Sequence, residues 1–351
     1  MAVGFSTKAG TLVALQGVLK TARIAPLRVF TVAEWRENRA ACLSEITVDV
    51  GAGPWIVRSS CAREDRSTYS NAGAFVSVLS VEEAGLEAAV EQVIASYGGG
   101  QPIDEVLIQP MLTEVIRSGV AFSHDPNTCA PYRVVNWSEG SDTAIVTGGA
   151  GGQLWQQAAH SPLPPPPTLA PIVALIEELL ALFGKVPLDC EFAVAAEADG
   201  EVLSLLQVRP LVLSRQPESE AVQAARLENV QQKVARGMQQ HPFLMGRRTV
   251  YGVMPDWNPA EIIGIRPKPL ALSLYRELIT DAIWAYQRHN YGYRNLRSFP
   301  LMPHFFGLPY IDVRLSFNSF IPADLDEGLA GRLVDHYIDR LLTEPTLHDK
   351  V

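Results

Sequence analysis

Lys8, Arg58, Glu191, Gln207 and Arg209 are the side chains whose types and spacing best suit chemistry. Three are cations and two are hard oxygen donors, a set able to hold a polyphosphate together with a divalent metal. Lys8 stands in Ser6-Thr7-Lys8-Ala9-Gly10, where its ammonium and a helix N-terminus would both face an anion. A solvated surface lysine is the plainer alternative. Arg58 closes the apolar run Trp55-Ile56-Val57, a poor place for a charge without a partner. Either a phosphate takes its guanidinium, or it forms a structural ion pair with nearby Glu64 or Asp65. Ser70-Asn71-Ala72-Gly73 is a small-residue loop, open to phosphate approach or simply a turn. Gln109-Pro110-Met111-Leu112 is either a hinge that reads a purine edge through its backbone or an ordinary strand end. Asp189-Cys190-Glu191-Phe192 and Leu206-Gln207-Val208-Arg209-Pro210 flank an Asp199-Gly200 turn signal. Glu191 and Gln207 then lie near each other on adjacent strands, and a carboxylate with an amide suits Mg²⁺. Arg209, two residues on, shares the sheet face of Gln207.

The elements that position these groups follow from periodicity. Leu12, Leu15, Val18 and Leu19 predict a helix over 8–21. Trp55–Ser60 reads as a strand entered through Gly51-Ala52-Gly53-Pro54, and 74–81 as another. Residues 82–97 form an Ala- and Glu-rich helix stopped by the glycines at 98–100. Strands are expected at 105–109, 118–124, 131–137 and 142–147, then a glycine loop at 148–152. Five of the six residues 162–167 are proline, a stiff extended connection. A helix over 169–184 precedes the hairpin 189–196/201–211. Residues 217–239 are rich in Glu, Gln, Ala, Lys and Arg without a wide apolar stripe, as for a solvated connecting helix. A domain boundary therefore falls between 215 and 250.

The net charge of −9 and the lack of clustered Lys and Arg exclude a nucleic-acid surface. Leu169–Phe183, the longest apolar segment, is broken by Glu177 and Glu178, so no membrane span is expected. Cys42, Cys61, Cys129 and Cys190 are far apart, which argues for reduced thiols and a cytoplasmic protein.

Taken in order, Lys8, VRSSCAREDRSTYSNAGAF, VLIQPML, SGVAFSHDP and DCEF…LLQVRPL resemble the ATP-binding (ATP-grasp) domain of the phosphoenolpyruvate synthase and pyruvate phosphate dikinase family. Rifampin phosphotransferases carry the same domain. The resemblance implies an α+β fold with an ATP-grasp domain of two subdomains over 1–215, a linker helix over 216–250 and a mostly helical part over 251–351. It implies ATP and Mg²⁺ as cofactors. Lys8, Arg58 and Arg209 would be phosphate ligands with catalytic roles, Gly73 and Ser77 would lie near the phosphates, and Gln109, Met111 and Leu112 would line the adenine pocket. Glu191 and Gln207 would be the metal ligands. Two departures concern the γ-phosphate end: Ala74-Phe75 replaces a usual pair of glutamines, and Asn136–Gly140 lacks a clean Gly-Glu pair, leaving Glu139 or Asp142 to stand in.

In that family ATP yields AMP and phosphate, and the phosphoryl group passes through a carrier histidine to a small acceptor. None of the seven histidines lies in a Gly-rich segment ending in Ser-His or Cys-His. The phosphohistidine carrier domain is therefore expected to be absent, and the isolated chain to bind nucleotide without turnover. Residues 251–317 are similar to synthase-like kinases that phosphorylate the amide of L-glutamine, with Arg276 and Arg314 as candidate carboxylate readers and Asp256 and Asp312 as candidate partners for an α-ammonium, or each as part of a helical interdomain scaffold with buried ion pairs. Pyruvate or an antibiotic hydroxyl is the alternative acceptor. An ATP-grasp ligase that releases ADP, or a non-catalytic nucleotide-binding module, would fit the same ATP site.

Overall fold

The computed structural model describes residues 3–61, 65–66, 69–70, 76–98, 100–140, 152–253 and 258–349. Glu64, Gly73, Ala74, Phe75, Asp142 and Asp256, the expected strand 142–147 and most of the loop 148–152 lie outside the described residues. The chain forms two compact units, 1–224 and 225–351. Both helices and antiparallel sheets are present, so the fold class is α+β. No described helix is long and apolar enough to cross a membrane.

The first unit opens with helix α1 (Lys8–Leu15). Periodicity predicts a helix as far as 21, but Gly17 adopts φ +74 and ends it early. Strand β1 (Arg28–Thr31) and helices α2 (Val32–Glu37) and α3 (Arg39–Val50) follow. The start of α2 is fixed by a reciprocal capping box between Thr31 and Glu34. Next come β2 (Trp55–Ser60), β3 (Ser77–Val81), α4 (Leu86–Ser96) and β4 (Glu105–Pro110). These strands form an antiparallel sheet in the order β1-β4-β2-β3. One face presents Trp55, Val57, Val106 and Ile108 to the helices, where Trp35, Ile46, Val90 and Val93 complete a buried core. The other face carries the alternate residues Ile56, Arg58 and Ser60 of β2, opposite Gln109, Leu107 and Glu105 of β4.

The second sheet contains β5 (Val115–Phe122), β6 (Tyr132–Glu139), β7 (Gln153–Ala158), β8 (Leu188–Glu197) and β9 (Gly200–Pro210), in the order β9-β8-β5-β6-β7. Its apolar face, with Cys190, Phe192, Leu205 and Val208, packs with α1 and with α5 (Ala170–Leu182) through Leu12, Leu15, Ile176 and Leu179. The β8–β9 hairpin turns at Ala198 and Asp199, with Glu197 paired to Gly200, one residue earlier than the Asp-Gly signal suggests. A bulge between Glu191 and Phe192 pairs Glu191 with Gln207 but Phe192 with Leu205, so Leu206 is the extra residue on β9. Arg133 is buried and braces this unit. Its Nε donates to Glu177 at 2.5 Å, Nη1 to the Ser123 carbonyl at 2.8 Å and Nη2 to Glu220 at 2.8 Å.

Helix α6 (Glu220–Gly237) contains the division between the units, and Gln223 alone of its residues is buried. The second unit is mostly helical, with helices Pro259–Ile263, Pro269–Tyr275, Ile283–Asn290, Val313–Asn318 and Glu327–Thr343. Trp284, Leu301 and Ile311 centre one core, and Val313, Val334 and Ile338 a second.

Gly119 of β5 faces Trp137 across the sheet, and a Cβ there would stand 2.2 Å from the Asn136 carbonyl oxygen. That contact is with backbone, which a side-chain rotation cannot relieve. Gly119→Ala is expected to destabilise the protein by about 1–3 kcal/mol through overpacking, measured as a lowered midpoint in urea unfolding.

Candidate functional site

Alternation along β8 and β9 decides which side chains share a surface. Cys190, Phe192 and Val208 point into the apolar core, so Asp189 and Glu191 on β8 and Gln207 and Arg209 on β9 occupy the opposite face. They face one another as cross-strand pairs, Glu191 with Gln207 and Asp189 with Arg209. The row of Gln207 and Glu191 continues through Val120 to Asn136 on β6. The Cys190 thiol, wholly buried on the core face, is pushed well above the usual thiol range by burial and then by the charges of its chain neighbours Asp189 and Glu191. It is a packing residue rather than a nucleophile.

Arg58 reaches this polar face from the other sheet. Its Nη1 donates to the Leu206 carbonyl at 2.9 Å and its Nη2 to Glu191 Oε2 at 3.3 Å. The bulge makes the first contact available, because Leu206 is the residue the pairing skips. Arg58 forms an ion pair with Glu191, with side-chain exposures of 10% and 26%, while Glu64 lies outside the described residues. Arg209 is held by its Nε, which donates to Asp189 Oδ1 at 2.7 Å. With Asp189 at 7% side-chain exposure, this bond fixes the plane of the guanidinium.

The structure also places the remaining candidates. Lys8 is buried in the first turn of α1. The backbone N–H of Ala9 donates to Ser60 Oγ at 2.9 Å and that of Gly10 to Thr7 Oγ1 at 3.0 Å. Those amides are already satisfied, which corrects the expectation that this helix end itself offers them to an anion. The same bonds tie α1 to Ser60, two residues beyond Arg58 on β2, while Thr7 and Ser60 both donate to Glu105. Ser77 pairs with Arg58 across β2 and β3 and is exposed. Gln109 is buried on the sheet face that carries Arg58, and the N–H of Met111 donates to the Pro54 carbonyl at 2.9 Å. Met111 and Leu112 are half-buried beyond the strand end. Gly73 lies outside the described residues.

Two polar residues of this face escape a reading of the sequence alone. Asp189 precedes Glu191 by two, and strand parity could have found it. Asn136 extends the row of Glu191 and Gln207, while Glu139, one of the two stand-ins named for the γ-phosphate end, is exposed at the strand end opposite Arg117 and the other, Asp142, lies outside the described residues. Nothing in its immediate sequence marks Asn136.

Among the described residues no cluster of three or more His, Cys, Asp or Glu could hold a metal unaided. Glu191 and Gln207 supply one carboxylate and one amide oxygen on neighbouring strands. That donor set fits Mg²⁺, which keeps waters and takes its remaining ligands from substrate phosphates.

The candidate acceptor readers in the second unit have structural partners. Arg314 donates through Nη1 to the Gln239 carbonyl at 2.8 Å and through Nη2 to the Gly237 carbonyl at 3.0 Å, closing the end of α6. Asp312 accepts from Thr249 Oγ1 at 2.6 Å and from the Leu315 N–H at 3.2 Å, capping the helix Val313–Asn318. Arg276 pairs with Asp281 at 3.5 Å. The expectation that Arg314 and Asp312 read a zwitterionic acceptor is thereby corrected, because burial obliges each to bond within the fold.

Arg58→Ala removes a donor from both Leu206 and Glu191 and is expected to cost about 1–3 kcal/mol of stability. Arg58→Lys keeps the charge but cannot serve two acceptors with one planar fork, and is expected to recover only part of the loss. Urea unfolding of the three proteins checks both.

No protein-family model matches the chain, and no curated protein sequence does. Solved structures give partial likenesses. A D-alanine–D-alanine ligase from Helicobacter pylori superposes with a TM-score of 0.37 at 17% identity, over 64% of this chain and 60% of that one. PH1788 from Pyrococcus horikoshii Ot3 gives 0.35 at 14% identity, over 60% of this chain and 90% of that one. The ADP complex of purK, N5-carboxyaminoimidazole ribonucleotide synthetase, gives 0.31 at 14% identity, over 55% and 42%. At TM-scores of 0.31 to 0.37 the likeness fixes neither a family nor an activity.

Proposed function

We propose that the first unit binds Mg-ATP in an ATP-grasp-type cleft and serves a dikinase-type phosphotransferase. The observation that carries this reading is the convergence of Arg58, Glu191, Gln207, Asp189 and Arg209 on one polar sheet surface, from two sheets and positions far apart in sequence. Arg58 and Arg209 neutralise phosphate oxygens, Lys8 adds a third cation, and Gln109, Met111 and Leu112 receive the adenine. Glu191 and Gln207 hold Mg²⁺, whose charge supplies further neutralisation of the polyphosphate when bound.

The pairing of Arg58 with Glu191 has a direct consequence for binding. Each pairs with the other in the structure, whereas the proposed cleft assigns Arg58 to an anion and Glu191 to a cation. Phosphate alone would take Arg58 and leave a carboxylate unpaired beside new negative charge. Metal alone would leave the guanidinium unpaired. Mg²⁺ and ATP arriving together satisfy both, so their binding is mutually reinforcing.

The ordered fragments from Lys8 to Pro210 support the dikinase subgroup, in which ATP gives AMP and phosphate. The acceptor reading is L-glutamine, supported by the resemblance of residues 251–317. The phosphoryl group would travel by a carrier domain whose Gly-rich Ser-His or Cys-His segment this sequence does not contain.

Arg58→Ala is expected to weaken Mg-ATP binding by about 2–4 kcal/mol, read by calorimetry on protein whose fold is verified by circular dichroism. Unchanged affinity removes Arg58 from the site. Glu191→Gln is expected to abolish most of the gain in ATP affinity on adding Mg²⁺ while altering metal-free binding less. Equal losses with and without Mg²⁺ point to a direct nucleotide contact or a folding defect. For the reaction, phosphorus NMR of the chain with ATP, glutamine and an added carrier domain is expected to show AMP, phosphate and a phosphoramidate signal. The chain alone is expected to show none of these. Phosphoenolpyruvate formed from pyruvate, or ADP as sole nucleotide product, overturns the acceptor or the dikinase reading respectively.

A further inference from the structure

Within the second unit a pocket of about 230 Å³ opens between α6 and the hairpin His304–Pro309. Arg226, Val230 and Lys233 line it from α6, at spacings that put them on one helix face. His304, Phe305 and Phe306 line it from the hairpin. Among the described residues its walls hold two permanent cations and no carboxylate, in a chain whose net charge is −9.

The cationic character is built in. Lys233 Nζ donates to the His304 carbonyl at 2.9 Å and stands over the Phe305 ring, 5.3 Å from its centroid. The ammonium is therefore anchored from two sides. Burial holds the His304 imidazole below its ordinary proton affinity, and the positive charges of Lys233 and Arg276 lower it further. His304 Nδ1 is buried with no hydrogen-bond partner among the described residues.

The hairpin tip adds an aromatic. Phe306 and Gly307 both adopt left-handed backbone conformations, φ +51 and +79. Glycine or asparagine suits both tip positions of such a turn, whereas a bulky ring is strained there. Phe306 nonetheless occupies the first, with 59% of its surface exposed. Turn formation does not require this residue. A strained, exposed ring beside a cationic pocket is the kind of outlier that marks a ligand site.

We propose that this pocket binds a small planar organic anion, with its carboxylate or phosphate on Arg226 and Lys233 and its ring against Phe305 and Phe306. The volume is below the roughly 300–1,000 Å³ of drug-sized sites, which limits the ligand to about one ring. The site lies wholly in the second unit and stands independently of the nucleotide reading.

The test is a titration of the full chain with phenyl phosphate, benzyl alcohol and inorganic phosphate, followed by ligand-observed NMR with saturating Mg-ATP present and absent. Phenyl phosphate is expected to bind saturably, whether or not Mg-ATP is present, with the other two probes weaker by about tenfold or more, as for loss of a charge-assisted contact or of the ring. The exposed double variant Arg226→Gln/Lys233→Gln is expected to lose about tenfold in affinity for phenyl phosphate. Phe306→Gly is expected to weaken it too while thermal stability is kept or raised, because the turn is relaxed. The proposal is overturned if phenyl phosphate does not bind saturably, if benzyl alcohol binds equally well, if Mg-ATP displaces phenyl phosphate, or if the correctly folded double variant binds like the parent.

Discussion

The first unit depends on one guanidinium. Arg58 is carried into a buried position by an apolar strand and cannot remain there without partners. The partners come from the other sheet, in the Leu206 carbonyl exposed by a β-bulge and the carboxylate of Glu191. One side chain thus satisfies a backbone acceptor that the sheet leaves over and brings a cation to a surface bearing two carboxylates and an amide. The charges are balanced but not consumed, because Glu191 keeps 26% side-chain exposure. Under the proposed function, a metal and an anion arriving together would replace the internal pairing with one of the same kind.

The β8–β9 hairpin makes that surface possible through period-2 alternation. Cys190, Phe192 and Val208 are used for packing, and the residues between them are freed for polar work. The bulge matters because it changes the register between Glu191 and Phe192 without disturbing the pairs Asp189–Arg209 and Glu191–Gln207. Asp189 then fixes Arg209 while Glu191 meets Arg58, so adjacent carboxylates on one strand restrain different cations.

The second unit uses its polar residues differently. Arg314 and Asp312 are buried, and each is absorbed at a helix end: the Gly237 and Gln239 carbonyls at and just past the end of α6 for one, the Leu315 amide of Val313–Asn318 for the other. Burial and bonds made within the fold make them structural. The cations placed to meet a ligand, Arg226 and Lys233, lie instead on the exposed face of α6, where a composition rich in Glu, Gln, Lys and Arg looked merely solvated.

Much of this was legible in the sequence, and the boundary follows the range of the interactions. Strand β2, helix α4 and the β8–β9 hairpin are written in local patterns: an apolar run, an Ala- and Glu-rich stretch stopped by glycine, and alternation around a turn signal. The same alternation placed Glu191 beside Gln207 and Arg209 on the face of Gln207. Local pattern also had limits. Val18 and Leu19 continued the period of α1, but Gly17 had already turned the chain, and the capping box at Thr31 marked a helix that periodicity left unread. What only the tertiary structure decided is which distant groups meet. Arg58 reaches a carboxylate 133 positions away, because sheet-to-sheet packing brings that carboxylate within 3.3 Å. Arg314 closes a helix that ends 77 residues earlier, and Ser60 takes the amide that an anion was expected to find at Ala9. The sequence specified the donors and acceptors and the faces they occupy; their partners were selected by burial, because a polar group removed from water must bond to whatever the fold brings near it.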